Sequence, residues 1–590
     1  MQEYVFQEVK RVGEIEFDFL DKSKPLNYTI RLAKNMQLFS EPEKLADIIR
    51  HQYIVEKFDP EMIQQMSNLL TDPKHVNIYI RSKSFDNKPE LTNIEDKWYK
   101  TKYGKEPFNQ ALLNKILHPE VKQSRKVLDL PRKNNLLPKN LDVLPSDAES
   151  SQKPFLLKQW ADDTDLWFMK DDKYQRPKGL VSLKIYTGDC EFGQTARGRV
   201  FVEIWNSILN ESLREFYYMA QMASLNASVS LPHDNVNIQW SGFSDSLPTF
   251  VEETLKRIKG LNVHEMPDTF AQVKEKLMQN WYNFYLEQAY QQAYFLFDNI
   301  LLTTAFEKKQ LRKILEGLTF EEFCKQSEGW LQSARFVWFA HGNMSKEQAI
   351  ELVERARATF SLKKIAKEDL VDVRCIAIPQ GQKYLLQREL DDKKNENNCL
   401  ISYFEVGLEG TDMHTKMLHQ VTMQYLDEPT FNQLRTIEQL GYVVFARKSD
   451  YRDVMGTQFI IQSPKYSSEY IVNSLNTFLN AQREKVQNLT NEEFKTQVEA
   501  VMTKVAEKDY NLSSEHGRFW AEISCHKYLF DRQQKEVQAL KDLTLEQFKA
   551  HFEKTFFSEV HTKRLDFELN SATHAEAQAE WKAKNLEKYG

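Results

Sequence analysis

The sequence predicts an α+β protein: two complete, homologous domains of layered helices and sheet, preceded by a partial copy. Three observations lead there. A chain of 590 residues exceeds what one hydrophobic core can serve and suggests roughly three to four domains. A helix-then-strand unit recurs three times along it. Runs of strand-like residues are mixed with long stretches of helical periodicity, which points to α+β layers rather than a doubly wound parallel sheet.

The recurring unit reads FDPEMIQQMSNLLTDPKHVNIYIRSKSF up to Phe85, LTFEEFCKQSEGWLQSARFVWFAHGNMS up to Ser345, and LTLEQFKAHFEKTFFSEVHTKRLDFELNS up to Ser571. In each, apolar residues recur every three to four positions and then switch to near-alternation, marking helix and then strand. The LT-x-E-x-F openings of the second and third support duplication. About 260 residues separate the first two tails and about 226 the last two, one large domain each, yet only 85 residues precede the end of the first. Residues 1–85 are therefore read as part of a domain, with a small helical domain of its own as the alternative. Seven of the 18 prolines fall between Pro89 and Pro154, among Lys and Asn. Proline removes backbone donors and favours extended chain, so 86–153 is expected to be a semi-rigid linker. The complete domains are placed at 154–378 and 379–590.

Within the first complete domain the pattern gives a strand at GLVSLKIYTG, a long helix from Ala196 to Ala223, and a strand pair at NASVSL and NVNIQWSGF. Helices follow at Val251–Lys259 and Phe270–Phe306. The second has strands at Lys383–Arg388 and Leu400–Gly407 and helices across Gly410–Leu440. It continues with a strand pair (YVVFARKSD, GTQFIIQSP) and helices at Glu469–Val486 and Asn491–Lys508.

Composition narrows the function. Apolar residues are 41% and aromatics 12%, enough to fill cores. The net charge of −6 gives no general reason to bind nucleic acid or anionic membrane. The most apolar stretch, AYFLFDNILLTTAF, is interrupted by Asp298 and Asn299 and too short to span a bilayer. Cys190, Cys324, Cys375, Cys399 and Cys525 are odd in number and without C-x-x-C spacing, which fits a reducing compartment. The N-terminal residues carry no secretory or transit pattern, so the expected location is intracellular, cytoplasmic by default, with mitochondrial association left open.

A collinear series of segments then carries a resemblance. It includes EYVFQEVK, FLDKSKP, EKFDPEMI, IRSKSFDN, KWYKTKY, LWFMKDDKYQRPKG, HGNMSKEQA, DEPTFNQLRTIEQLGYVVF, TQFIIQSPK, FWAEI and FDRQQKEV. Over more than 500 residues the chain resembles the insulin-degrading enzyme (insulysin) branch of the pitrilysin-type inverted zincins. The resemblance implies that the chain matches part of the family's second domain together with its third and fourth. Full-length members build four such domains into two halves that close around a peptide.

The family's zinc motif, H-x-x-E-H, belongs to its first domain: two histidines bind zinc and the glutamate activates water. Among the 13 histidines none lies four residues from another; the nearest, His414 and His419, are five apart with no Glu between them. His516 follows Glu515, and His264 precedes Glu265, but neither has a second local ligand. No metal site is expected in this chain, and zinc is expected only in a partner half.

The stretch FNQLRTIEQLGYVVF holds the residues that the resemblance marks. DEPTF reads as a helix start with Pro429 in the first turn, the helix running to Leu440 and Gly441 giving a left-handed stop before a strand opening at Tyr442. Phe431, Arg435 and Gln439 repeat at helical spacing. In similar enzymes the matching arginine and tyrosine contact the substrate beside the zinc and help stabilise charge on the carbonyl oxygen. Such a donor is worth ~3 kcal/mol of barrier. By resemblance those catalytic and substrate-binding roles fall on Arg435 and Tyr442, with Phe431 as apolar wall. Plain structural roles are the alternative: an Arg435–Glu438 pair, Tyr442 as a half-buried strand residue, Phe431 as core. Ser224 stands where the family usually has glycine, which departs from the chamber surface expected there. His341-Gly342-Asn343 reads as a strand-end turn.

Three functions follow. The chain is the non-catalytic C-terminal half of an insulysin-like metallopeptidase, forming the peptide-binding wall for a zinc-bearing N-terminal-half chain. Or it is an inactive pseudopeptidase, a structural or peptide-binding subunit of a larger assembly. Or it is a piece of a full-length metalloendopeptidase. Alone it is not expected to hydrolyse peptides.

Overall fold

The computed structural model describes residues 3–574 and 580, apart from 40, 42–43, 108, 119–131, 147–150, 162, 188–192, 233–234, 330–331, 361–362, 366–369, 371–373 and 411. The chain divides into two units, Met1–Leu20 with Pro25–Leu137, and Asp21–Lys24 with Pro138–Gly590.

The first unit is mostly helical: α1 (Glu3–Asp18), α2 (Pro25–Leu38), α3 (Asp47–Arg50), α4 (Pro60–Thr71) and α5 (Gln110–Leu117). Its only ladder among the described residues pairs β1 (Ile94–Glu95) with β2 (Lys102–Tyr103). α4 begins where Asp59 accepts from the Met62 amide at 2.9 Å, with Pro60 in the first turn. Two expectations change here. The strand predicted after α4 does not form: residues 76–82 carry no regular structure, because a strand needs a neighbour and none of the described residues supplies one. The predicted linker 86–153 is not uniformly extended, since it holds β1, β2 and α5, and the first unit runs on to Leu137. Asn134 and Leu136 are buried there, and the Asn134 amide donates to Glu8 of α1 at 3.1 Å.

The second unit carries two sheets. The first uses β3 (Phe155–Trp160), β4 (Thr164–Lys170), β5 (Lys178–Thr187), β6 (Asn226–Ser230), β7 (Asn235–Phe243), β8 (Ser333–Gly342) and the short β9 (Lys363–Lys364). Its order is β3-β4-β8-β5-β7-β6, with β9 beside the start of β8. β8 lies inside the sheet, parallel to β4 and antiparallel to β5. Around it run α6 (Ala196–Gln221), α7 (Leu247–Lys259), α8 (Pro267–Asn283), α9 (Ala289–Leu301), α10 (Lys308–Gly317), α11 (Phe320–Gly329) and α12 (Lys346–Thr359).

The second sheet is β10 (Lys383–Glu389), β11 (Asn398–Leu408), β12 (Val443–Lys448), β13 (Val454–Ser463) and β14 (Arg564–Asn570), in the order β10-β14-β11-β13-β12. β14 repeats the placement of β8: interior, parallel to β10 and antiparallel to β11. Its helices are α13 (Met413–Thr430), α14 (Ser468–Gln487), α15 (Asn491–Val505), α16 (Leu512–Ser524), α17 (Arg532–Lys541) and α18 (Leu545–Phe556). Alternation along each strand feeds two cores. Leu400, Phe404, Phe459 and Ile461 pack with Leu475, Phe548 and Phe552 on one face. Ile401, Tyr403, Ile460 and Phe567 pack on the other face against Ala293 and Phe297 of α9.

That second core explains a difference from the sequence reading. One helix was expected over Phe270–Phe306, but the chain breaks after Asn283 and resumes at Ala289. α8 serves the first sheet's helical layer, whereas α9 buries its apolar side on the second sheet, so a straight rod cannot do both. α16 also crosses, setting Phe519, Trp520 and Ile523 against Val337 and Phe339 of β8. Among the described residues no helix is long and apolar enough to cross a membrane.

Candidate functional site

The predicted site sits where α13 meets β12. α13 starts at Asp412, whose carboxylate accepts from the amides of His414 at 3.0 Å and Thr415 at 3.1 Å. Its first turns are tied down by Lys416, which bridges Glu409 at 2.8 Å and Glu536 at 2.7 Å. Partial burial pushes the Glu409 carboxyl up, but hydrogen bonds from Lys416 and Lys527 outweigh it and hold the group down at about 2. This network was not foreseen; Glu409, Lys416 and Glu536 are scattered in sequence and meet only once α17 docks on α13.

The helix does not start at DEPTF. It runs straight through Asp427–Thr430 with Pro429 inside it, and then widens into a π-helix at Phe431–Ile437. Proline has no N–H to give to the preceding turn, so the α ladder fails there. The Glu438 amide donates to Gln433 O, five residues back, at 2.9 Å, and that of Leu440 to Leu434 O at 3.0 Å. Widened turns of this kind are frequent at functional sites. Leu434 and Leu440 are fully buried and anchor the segment in the core below. Gly441 is not the left-handed residue; Gln439 is, at φ 51. Gly441 is required for close approach instead: a Cβ there would lie 1.8 Å from Gln462 O of β13. The strand then opens at Val443, opposite Gln462, with Tyr442 just ahead of it.

This geometry brings the three predicted residues together. The Arg435 guanidinium carbon stands 4.6 Å from the Phe431 ring centroid and 4.6 Å from that of Tyr442. Such contacts at exposed positions are worth about 0.5–1 kcal/mol each. Phe431 is 47% exposed and Tyr442 83% exposed, so neither is core nor a half-buried strand residue. Glu438 takes a hydrogen bond from Gln433 at 2.9 Å and does not pair with Arg435. Among the described residues Arg435 has no ion-pair partner. A planar fork of donors is thereby held in place by two rings with its hydrogen-bonding capacity unspent, suited to a peptide carbonyl or carboxylate. Ile437, 62% exposed in the same segment, adds apolar surface that the helical pattern did not flag.

Ser224 keeps the conformation that a glycine would supply, at φ 57. Gly342 stands at φ 128, and a Cβ there would lie 2.5 Å from Lys178 O. Asn343 accepts from the Leu144 amide at 2.8 Å and donates to Asp142 O and to Ser244 Oγ, both at 2.9 Å. The HGN turn is a clasp.

The fold stacks His341, from the strand-end turn, on His516, ring centroids 5.7 Å apart, at the junction between β8 and α16. His516 Nε2 shares a hydrogen bond with Ser182 Oγ at 2.7 Å, while His341 Nε2 lies 3.6 Å from Glu515. Burial depresses both imidazoles, His516 to about 3. The Glu515 charge does not reverse this for His341, because Lys173, at 3.0 Å, already neutralises it. Among the described residues neither His341 nitrogen nor His516 Nδ1 has a hydrogen-bond partner, and no three His, Cys, Asp or Glu are placed to hold a metal ion.

A family model for the middle or third domain of peptidase M16 matches residues 17–314, half of the chain. The chain belongs to the peptidase M16 family. Within M16 it is of the insulysin–pitrilysin type, and a second model, the C-terminal lobe domain 4 of a PqqF-like PQQ synthase, matches 421–520, the segment containing Phe431, Arg435 and Tyr442. Human insulin-degrading enzyme is 28% identical over 552 residues, covering 92% of this chain and 52% of that protein. Human nardilysin is 24% identical over 560 residues, covering 93% and 46%. The chain thus spans about half the length of the curated relatives it matches. Among solved structures, pitrilysin superposes with a TM-score of 0.74 at 19% identity, over 97% of this chain and 58% of that one. A peptidase M16 inactive domain from Pseudomonas fluorescens gives 0.53 at 13% identity, over 71% and 98%.

Proposed function

We propose that this chain is the substrate-holding half of an insulysin-type M16 peptidase. In this reading residues 1–137 contribute part of the second domain, and the two sheet-bearing parts of the second unit are the third and fourth. Arg435, braced by Phe431 and Tyr442, binds and orients a peptide, and a zinc-bearing half carried on another chain cuts it. The observation that carries the reading is the part-buried Arg435 guanidinium with two exposed aromatic supports and unspent donors. The two rings hold the guanidinium in one place before any ligand arrives, which lowers the ordering cost of binding.

The test is to purify the native assembly, measure zinc per complex, and identify any accompanying chain with H-x-x-E-H. One zinc per complex is expected. Arg435→Ala is expected to lower peptide kcat/KM about 100-fold, the worth of one pre-organised donor, while leaving the assembly intact. A metal-free assembly without cleavage would favour the second reading, a pseudopeptidase subunit. Likeness of fold to a domain described as inactive supports that reading. Finding the motif on the same polypeptide would make this chain one part of a longer enzyme.

A further inference from the structure

The three helix–strand units fold unequally. In the second, α11 leads to β8, an interior strand with a parallel neighbour on one side and an antiparallel one on the other. Every residue of β8 after Ser333 is buried. In the third, α18 leads to β14, again interior, again parallel to one neighbour and antiparallel to the other, and wholly buried. In the first, α4 leads to His75-Val76-Asn77-Ile78-Tyr79-Ile80-Arg81, which has no strand partner among the described residues. No backbone N–H or C=O of residues 77–81 is hydrogen-bonded there. Its apolar side chains stand in solvent: Ile78 53%, Tyr79 92% and Ile80 73% exposed. The helix is equally bare. α18 buries Leu545, Phe548, Phe552 and Phe556, whereas α4 buries nothing and leaves Met62, Met66, Leu69 and Leu70 exposed.

A β-branched and aromatic run with unpaired amides and no apolar cover is a strand without its sheet. The two folded copies specify what is missing: one strand parallel to it, one antiparallel, and a surface for the apolar face of α4. We propose that Val76–Arg81 is a donor strand, inserting between two strands of a sheet carried by a separate polypeptide and covered there by α4. This rests on the reading above that a second chain completes the assembly, and names the element that joins the two. Main-chain pairing supplies the affinity, and the alternation of Val76, Ile78 and Ile80 with Asn77, Tyr79 and Arg81 sets the register.

Hydrogen–deuterium exchange tests it, using the full chain alone and in the native complex with its H-x-x-E-H chain. The amides of 77–81 should exchange freely in the isolated chain and slow at least ~100-fold in the complex. Ile80→Pro, which removes one ladder donor from a segment unpaired in the free chain, should leave the free chain's thermal unfolding unchanged and weaken the complex at least ~10-fold; Ile80→Val should do neither. A complex in which 77–81 exchange as fast as in the free chain overturns the donor strand and leaves the substrate-holding reading standing. Protection already present in the free chain, or appearing only as its concentration rises, overturns it in favour of pairing within the chain or between two copies. Absence of any H-x-x-E-H chain from the native assembly overturns both.

Discussion

Acidification should weaken this fold in a window set by its buried histidines. His419 sits on the buried face of α13, its Nε2 3.0 Å from Thr457 Oγ1, and burial, aided by nearby His551 and Lys448, holds its imidazole down at about 3. Burial holds His516 at about 3 and, with a smaller effect of Lys554, His551 at about 4. In the unfolded chain each returns to the ordinary value near 6.5. A folded value below the unfolded one means that the unfolded chain binds more protons in between. The stability that neutral imidazoles permit is therefore complete above about 6.5 and is lost as the pH falls toward 3. At pH 5, about 1.5 units under the unfolded value, each group costs roughly 2 kcal/mol, so the three together remove on the order of 6 kcal/mol. Carboxylates add little there, since Glu409, ordinarily near 4.5, begins to matter only below that pH. Urea unfolding followed by far-UV circular dichroism at pH 7.5 and 5.0 should show this drop. His516→Gln, which can still bond Ser182, should shrink it by about 2 kcal/mol. Equal unfolding free energies at the two pH values, or greater stability at pH 5, would refute the argument.

Two further substitutions probe the backbone around the site. Gly441→Ala sets a methyl against Gln462 O, 1.8 Å away, and should cost about 2–3 kcal/mol. Hydrogen exchange of the β12–β13 ladder should rise at Val443 before anywhere else, and unchanged protection there would contradict the close approach. Ser224→Gly relieves a left-handed non-glycine residue and should raise stability by about 0.5–1 kcal/mol, read as a higher urea midpoint; a lower midpoint would mean that the serine side chain contributes more than its backbone costs.

Much of the second unit was legible because its strands and helices obey their periods. The run NVNIQWSGF is β7 to the residue, and the helix read over Ala196–Ala223 ends at Gln221. The long helix expected over Phe270–Phe306 failed because periodicity records that a face is apolar but not which sheet it covers. The first unit failed for the opposite reason: the pattern at Val76–Arg81 is that of a strand, but ladder partners are a tertiary fact. At the site, Phe431, Arg435 and Tyr442 were named through resemblance and the fold does gather them. The mechanism of their gathering was misread. Pro429 was taken for an opener when it sits inside a helix, and Gly441 for a left-handed stop when Gln439 holds that conformation. Proline and glycine each have two structural uses, and local sequence does not say which is in force.

β14 joins the second sheet at its middle, not its rim. Gln387 of β10 and Glu568 of β14 bond at 2.7 Å across 181 residues of sequence, and β11 reaches β10 only through β14. During synthesis, β10, β11, β12 and β13 must therefore emerge and wait for the final strand, with one seam of the sheet unzipped throughout. At translation speeds of about 5–20 residues per second, that leaves adhesive edges open for roughly ten seconds or more. Chaperone demand in the cell should accordingly track the arrival of β14 more closely than chain length.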